Sequence, residues 1–432
     1  MKQLALRSFR LQNFKAVRDS GTIRFGPLTV FIGNNGSGKS SLIEGMETFR
    51  DVVFRGLDVA MNRWRGFEHV WNHAAPHVLQ RSATARACHT NPLGFQATGY
   101  SEKTRFLAAM RINLGEDRIR LFLQREQCKR SRRDFSSEHV RDDEGNVFVS
   151  GFSRSSSRGA SGSANGPKPA SSSGRSTSSS RSRSGDSSGR STSSSRSRLG
   201  EHHLADGESC LTPLLGTFLD SWQFLMLDPE QMGEPTPQQR ATRRIRLARN
   251  GANIAEYLNE IHGLDQPAFQ GVVDALRSVL PYPTDLQPSI TSELERKFYL
   301  KMKETEFEVP GWLLSTGTLR ILALLALLRH PEPPTLIAIE EIENGLDPRT
   351  IHMLVEEIRV AVESGRTQVI ATTHSPYLLD LLPLSAIVLV DRAEGESRFI
   401  RPADSAEVQQ WAKNFAPGQL YTMNRLHKEG RP

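Results

Sequence analysis

The spacing of apolar and polar positions divides the chain into segments of different period. Residues 1–50 predict strand, strand, loop and helix, with the apolar run Leu28–Ile32 ahead of a helix over Ser41–Phe49. Residues 66–128 carry alternating stretches, "RFLAAMRINL" and "RIRLFLQREQ", that predict antiparallel strands. Residues 209–280 have helical spacing in "NIAEYLNEIHGL" and "AFQGVVDALRSVL". "ELERKFYLKMKETEFEV", residues 293–309, predicts a strand pair, and residues 318–391 alternate helix and strand as an α/β unit on a parallel sheet does. Leu319–Leu328 is almost wholly apolar, but it contains Arg320 and stops before Pro331. That is too short to cross a bilayer, so it reads as a buried helix.

Between these segments the pattern vanishes. Residues 131–207 are mostly Ser, Arg and Gly, and "SGRSTSSSRSR" occurs at Ser173–Arg183 and again at Ser188–Arg198. A stretch with so little to bury is expected to be disordered. It reads either as a tolerated loop expansion or as an arginine-rich arm for nucleic-acid phosphates. The insert also explains the charge. The formal net charge is +7, and residues 151–200 hold nine Lys or Arg against one Asp, a net of +8, which leaves about −1 for the rest. The folded body therefore lacks the basic excess of a general nucleic-acid binder. The three cysteines (Cys88, Cys128, Cys210) form no C-x-x-C pair and suit a reducing cytoplasm. The N-terminus lacks a signal-peptide apolar region, so a cytoplasmic protein is expected.

The chemistry concentrates at four places. "TVFIGNNGSGKSSLIEGM" contains G-x-x-x-x-G-K-S at Gly33–Ser40, after a strand and before a helix. Gly33, Asn34, Asn35, Gly36, Ser37 and Gly38 turn backbone N–H groups towards phosphate oxygens. Lys39 meets the β- and γ-phosphates, Ser40 offers a hydroxyl to Mg²⁺, and Ser41 opens the helix. "TLIAIEEIENGLDP" places Glu340 and Glu341 directly after a buried strand, Glu340 for Mg²⁺ and Glu341 to deprotonate an attacking water. In "TQVIATTHSPYLLDLL", His374 follows a strand and can sense a γ-phosphate. "LSTGTLR" puts Ser315, Gly317 and Thr318 at the start of the apolar helix. That is a second anion site, suited to the γ-phosphate of nucleotide on another subunit.

In this order the phosphate loop, L-S-x-G-T, acidic strand, "ENGLDP" and "TTHSP" resemble the ABC-type ATPases of the RecF/SMC/OLD branch, and most nearly OLD-like ATPases. The opening "LRSFRLQNFKAV" is similar to that family's N-terminal strands. The resemblance covers roughly residues 1–125 and 210–392. It implies a P-loop ATPase head of α/β class with a mixed sheet, an antiparallel β subdomain and a helical subdomain, interrupted by the insert. It implies ATP and Mg²⁺ as cofactors, and a homodimer that sandwiches ATP, each site completed by the partner's Ser315. "FLMLDPEQMG" is similar to a glutamine-loop segment, making Gln231 a metal or water contact, and Asp347 of "ENGLDP" would cross the interface. Two departures stand out: Glu340 where the family has Asp, and "LSTGT" for the commoner L-S-G-G-Q. No D-x-D follows Asp391, so the resemblance implies the ATPase without a TOPRIM nuclease domain.

The expected layout is 1–130 (phosphate loop and β subdomain), 131–207 (insert), 208–290 (helical subdomain), 291–392 (second part of the head) and 393–432 (tail). The expected function is an ATP-hydrolysing switch acting on DNA or on an effector protein encoded nearby, in phage defence or DNA maintenance, with no membrane partner. The alternatives are a RecF-type DNA repair clamp and a nucleotide-gated scaffold with little turnover. Neither of two histidine groups reads as zinc-binding: Pro76 interrupts the helix that would align His69, His73 and His77, and His202 and His203 near Cys210 read as solvated. "RWRGFEHVW", Arg63–Trp71, reads as packing between the β subdomain and the core, or as a nucleic-acid grip.

Overall fold

The computed structural model describes residues 5–74, 79–80, 88–101, 104–114, 121–132, 135–141, 146–153, 197–203, 208–239, 244–292 and 294–427. At its centre lies a six-stranded sheet. Its strands are β1 (Leu28–Ile32), β2 (Trp222–Leu225), β3 (Leu336–Ile339), β4 (Gln368–Thr373), β5 (Ile387–Ala393) and β6 (Glu396–Ile400). They run in the order β2–β3–β4–β1–β5–β6. All neighbours are parallel except the β5–β6 hairpin, so the sheet is mixed.

The central strands are mostly apolar and almost wholly buried because both faces are covered. Successive side chains point to opposite faces, and the two cores divide accordingly. Val30, Ile32, Ile337, Ile339, Val369 and Ala371 join one core. Phe31, Leu336, Ala338 and Ile370 join the other. The first core is built on helix α2 (Thr316–Leu328), with α3 (Pro348–Glu363) and the helices Ile254–Leu264 and Gln266–Val279. Leu319 to Leu328 are buried except Arg320, so the apolar run is the core helix its length predicted. Among the described residues no helix is long and apolar enough to cross a membrane.

The second core lies between the central sheet, helix α1 (Lys39–Arg55) and a nine-stranded antiparallel sheet. That sheet starts with Leu6–Phe14, in which Leu6, Phe9, Leu11 and Phe14 are fully buried. It continues through 93–101, 104–114 and 121–132. Phe9, Phe49 and Phe95 meet with ring centroids 5.9–6.4 Å apart, which ties α1 to the sheet.

Three segments differ from the sequence expectation and a fourth agrees with it. The span 131–207 is not without regular structure throughout: Phe135–Arg141, Asn146–Ser153 and Ser197–His203 extend the antiparallel sheet. "VFV" supplies a short apolar run there, and pairing to an existing edge satisfies backbone groups that composition alone leaves open. The repeats between 154 and 196 lie outside the described residues. Within the span read as helical, "WQFL" is strand β2, too short for its period to be seen. The tail is folded, with β6 on the sheet edge and the helices Ala406–Trp411 and Pro417–Thr422 behind it. The strand pair of 293–309 is present as Lys297–Lys303 against Glu308–Pro310, in a small sheet joined by 285–290.

The stretch Arg63–Trp71 packs. Trp64 donates to Thr48 Oγ1 at 2.9 Å and Lys15 lies 4.0 Å over its ring. Arg63 pairs with Glu47 and Asp51 of α1. Cys128 and Cys210 are buried free thiols, and burial pushes the Cys128 thiol up to about 12. No cluster among the described residues could hold a metal through His, Cys, Asp or Glu alone, and His77 lies outside them.

Candidate functional site

The loop 33–38 joins β1 to α1 at the carboxyl edge of the central sheet. Gly36 (φ 72°) and Gly38 (φ 111°) adopt left-handed backbone that a side chain would strain. Gly33 is demanded by space instead, since a Cβ there would stand 1.9 Å from the Val390 carbonyl oxygen. The loop bounds a cavity of about 140 Å³, closed on its other side by Glu341, Thr372 and His374.

The cavity is built for a ligand it must still satisfy. Lys39 is 6% exposed, and its ammonium folds back to donate to the carbonyls of Gly33 (2.7 Å) and Asn34 (3.0 Å). Burial lowers its pKa, and the nearby Glu341 and Glu343 partly offset this. Ser37 is 2% exposed, and its hydroxyl has no hydrogen-bond partner. A buried donor left open beside turned-in N–H groups and a lysine is what phosphate oxygens would complete. The residues present thus fit a nucleotide phosphate.

Glu340 directly follows β3, buried, beside Ser40, whose hydroxyl donates to its carboxylate. Burial raises its pKa, and the Ser40 bond and Arg249 act against that rise. Ser40 and Glu340 are thereby brought together as a hard-oxygen pair suited to Mg²⁺. Glu341 follows with φ 49°, a backbone conformation uncommon for a non-glycine residue, and its N–H donates to Thr372 Oγ1 at 2.9 Å. The twist turns the second carboxylate out of the strand and onto the cavity wall. His374 lies across from the loop, its backbone N–H donating to Glu343 at 2.6 Å. Asn34, Asn35, Gly36 and Ser40 stand exposed on the loop's rim, while Ser41 is buried at the start of α1.

Four of the expected residues, Ser315, Gly317, Gln231 and Asp347, are not at this cavity. Ser315 is the N-cap of α2, accepting from the Thr318 N–H at 3.1 Å and bonded to its hydroxyl at 2.8 Å. Ser315 is exposed. Gly317 allows α2 to approach the "ENGLDP" turn, where a Cβ would meet the Gly345 carbonyl at 2.6 Å. Gln231 lies on the short helix Pro229–Gly233, and its amide is taken up by Asp228 (2.6 Å) and Asn250. It does not line the phosphate cavity. Asp347 caps α3, accepting from Arg349 and Thr350, and its bond from the Thr350 hydroxyl lowers its pKa.

Sequence reading missed Arg249, Thr372 and Glu343. The last two lie inside stretches already singled out, so period and position could have found them. Arg249 could not be found so: its Nη2 meets Glu340 at 2.8 Å and its Nε lies 3.5 Å from Glu47 of α1, across 91 residues of chain in the first case.

A family profile described as "AAA domain, putative AbiEii toxin, Type IV TA system" matches residues 99–380, and one described as "AAA ATPase domain" matches residues 4–69. No curated protein matches the chain. Among solved structures, an SMC head bound to the C-winged helix domain of ScpA aligns at 12% identity with a TM-score of 0.47, over 91% of this chain and 97% of that one. The SMC head domain from Thermotoga maritima aligns at 12% identity with a TM-score of 0.41, over 92% and 98%. An SMC head with an extended coiled coil, bound to the C-terminal domain of ScpA derived from Pyrococcus furiosus, aligns at 10% identity and 0.44, over 95% and 99%.

Proposed function

Since the chain belongs to this AAA-domain family, we propose that it is an ATP-hydrolysing switch that closes as a dimer around nucleotide. The observation that carries the reading is the cavity between loop 33–38 and the ends of β3 and β4. It brings Lys39, Glu341 and His374, from three distant parts of the chain, to one 140 Å³ space beside an unpartnered Ser37 hydroxyl.

The residues divide the work by chemistry. The backbone N–H groups of 33–38 and the Lys39 ammonium receive the phosphates, and binding exchanges Lys39's carbonyl partners for charged oxygens. Ser40 and Glu340 would hold Mg²⁺, and Gln231 would have to release Asp228 and Asn250 to join them. Mg²⁺, when bound, neutralises charge developing on the phosphates. Glu341 accepts the proton of the attacking water, which the outward turn of its backbone leaves open to solvent. His374 faces the terminal phosphate. Ser315 and the exposed start of α2 would serve a second copy's nucleotide. The switch would act on DNA or on an effector protein, in phage defence or DNA maintenance, in the cytoplasm.

The test is ATP hydrolysis and mass in solution for wild type, Glu341→Gln and Ser315→Arg, with and without double-stranded DNA. Glu341→Gln should lower turnover by about 10²–10⁴-fold and accumulate an ATP-bound dimer. Ser315→Arg should bind ATP and remain monomeric. A wild type that binds ATP yet neither turns it over nor dimerises would replace this reading with a nucleotide-gated scaffold.

A further inference from the structure

The side chain that contacts the would-be metal carboxylate is an arginine. Arg249 Nη2 stands 2.8 Å from Glu340 Oε1, and Glu340 is 7% exposed. A carboxylate so buried needs a positive partner. Ser40 supplies a hydroxyl, and Arg249 supplies the charge.

We propose that Arg249 is a positioning residue that holds Glu340 in the nucleotide-free protein and withdraws when a divalent cation arrives, so that it sets the Mg²⁺ concentration at which nucleotide is retained. This rests on the Mg–ATP reading above. Three observations favour it. First, the guanidinium and a divalent cation at Ser40 and Glu340 would share one carboxylate, and at such separations in a partly buried site their repulsion far exceeds thermal energy.

Second, withdrawal leaves no other anion stranded. Arg249 Nε is 3.5 Å from Glu47 and makes no hydrogen bond there, whereas Glu47 is held independently by Arg63, at 2.5 Å from its Nη1.

Third, the side chain has somewhere to go while its backbone stays. Met226 donates to the Arg249 carbonyl at 2.8 Å and Asp228 to that of Asn250 at 2.9 Å, which fasten the loop to the end of β2. The side chain itself is 32% exposed and borders an open cavity of about 590 Å³ that also carries the Asp228 carboxylate.

The experiment is a titration of Mg²⁺ into full-length protein with a fluorescent methylanthraniloyl-ATP probe, for wild type, Arg249→Ala, Arg249→Lys and Lys39→Ala, with the melting temperature of each recorded without metal. Arg249→Ala should lower the Mg²⁺ midpoint for probe binding by roughly tenfold and melt earlier without Mg²⁺, with the gap narrowing as Mg²⁺ is added. Arg249→Lys should keep a midpoint near wild type, because it keeps the charge. It also serves if the alanine variant does not fold, since a rise of tenfold for lysine would overturn the competition. An unchanged or raised midpoint for folded Arg249→Ala would show that Arg249 does not compete with the cation. If wild type fails to bind the probe at any Mg²⁺ concentration, the nucleotide reading itself falls and this inference with it.

Discussion

The molecule has two helix starts that sequence marks as anion sites, and they are built differently. At α1 the glycines, a 6%-exposed lysine and an unpartnered serine hydroxyl converge on a cavity with Glu341 and His374 opposite. At α2 the cap is already closed on itself, Ser315 to Thr318, and stands in the open. The first start faces Glu341, Thr372 and His374 of its own chain. The second has its local hydrogen bonds satisfied and offers only its remaining N–H groups outward, so it requires a surface brought to it. The difference shows that a helix N-terminus becomes a ligand site through what faces it, not through its dipole alone.

Lys39→Ala gives the largest expected contrast. It should weaken ATP binding to the isolated subunit roughly a thousandfold, about 4 kcal/mol, measured by titration calorimetry, while Ser315→Arg leaves that subunit's own binding in place. Similar losses from both would mean that the α2 start reaches the same nucleotide.

A smaller contrast concerns the far end of α2. His330 follows the helix, 4% exposed, stacked 5.3 Å from the Tyr257 ring and accepting from the Glu332 N–H at 3.0 Å. Burial, with Arg244 nearby, lowers its pKa to about 4. The unfolded chain therefore takes up a proton near pH 6.5 that the folded protein refuses until about 4. Stability is lost as pH falls through that window, by at most about 1.4 kcal/mol per pH unit. Urea melts at pH 7.5, 5.5 and 4.5 should show the slope in wild type and a flatter one in His330→Phe. Equal slopes would assign the acid sensitivity to other groups.

The smallest effect separates folding from binding. Ser37→Ala removes a hydroxyl with no partner in the free protein, so stability should change by less than about 0.5 kcal/mol. ATP binding should weaken by about 1 kcal/mol, or fivefold. A large loss of stability instead would show that the hydroxyl already has a structural partner in solution.

Much of this was readable from residue order. The phosphate loop, the acidic strand and the His374 turn each follow a short apolar run that could only be a buried strand, and all three meet at one cavity. β2 was missed because four residues carry no period, and the strands Phe135–Arg141 and Asn146–Ser153 because serine and arginine surround a brief apolar run. Gln231 was singled out by likeness to a motif, and only the structure places its amide on Asp228 and Asn250.

By itself, then, the sequence determined the local pieces: which runs must be buried, where the backbone must turn without side chains, and which helix starts carry hydroxyl caps. These follow from period, chain stiffness and short-range hydrogen bonds. Only the tertiary structure decided which cation stands on Glu340, which carboxylate faces Lys39, and that one helix start faces other strand ends across a cavity while the other stands exposed. Those are contacts between residues far apart in the chain, set by sheet order and by the cost of burying an unpaired charge.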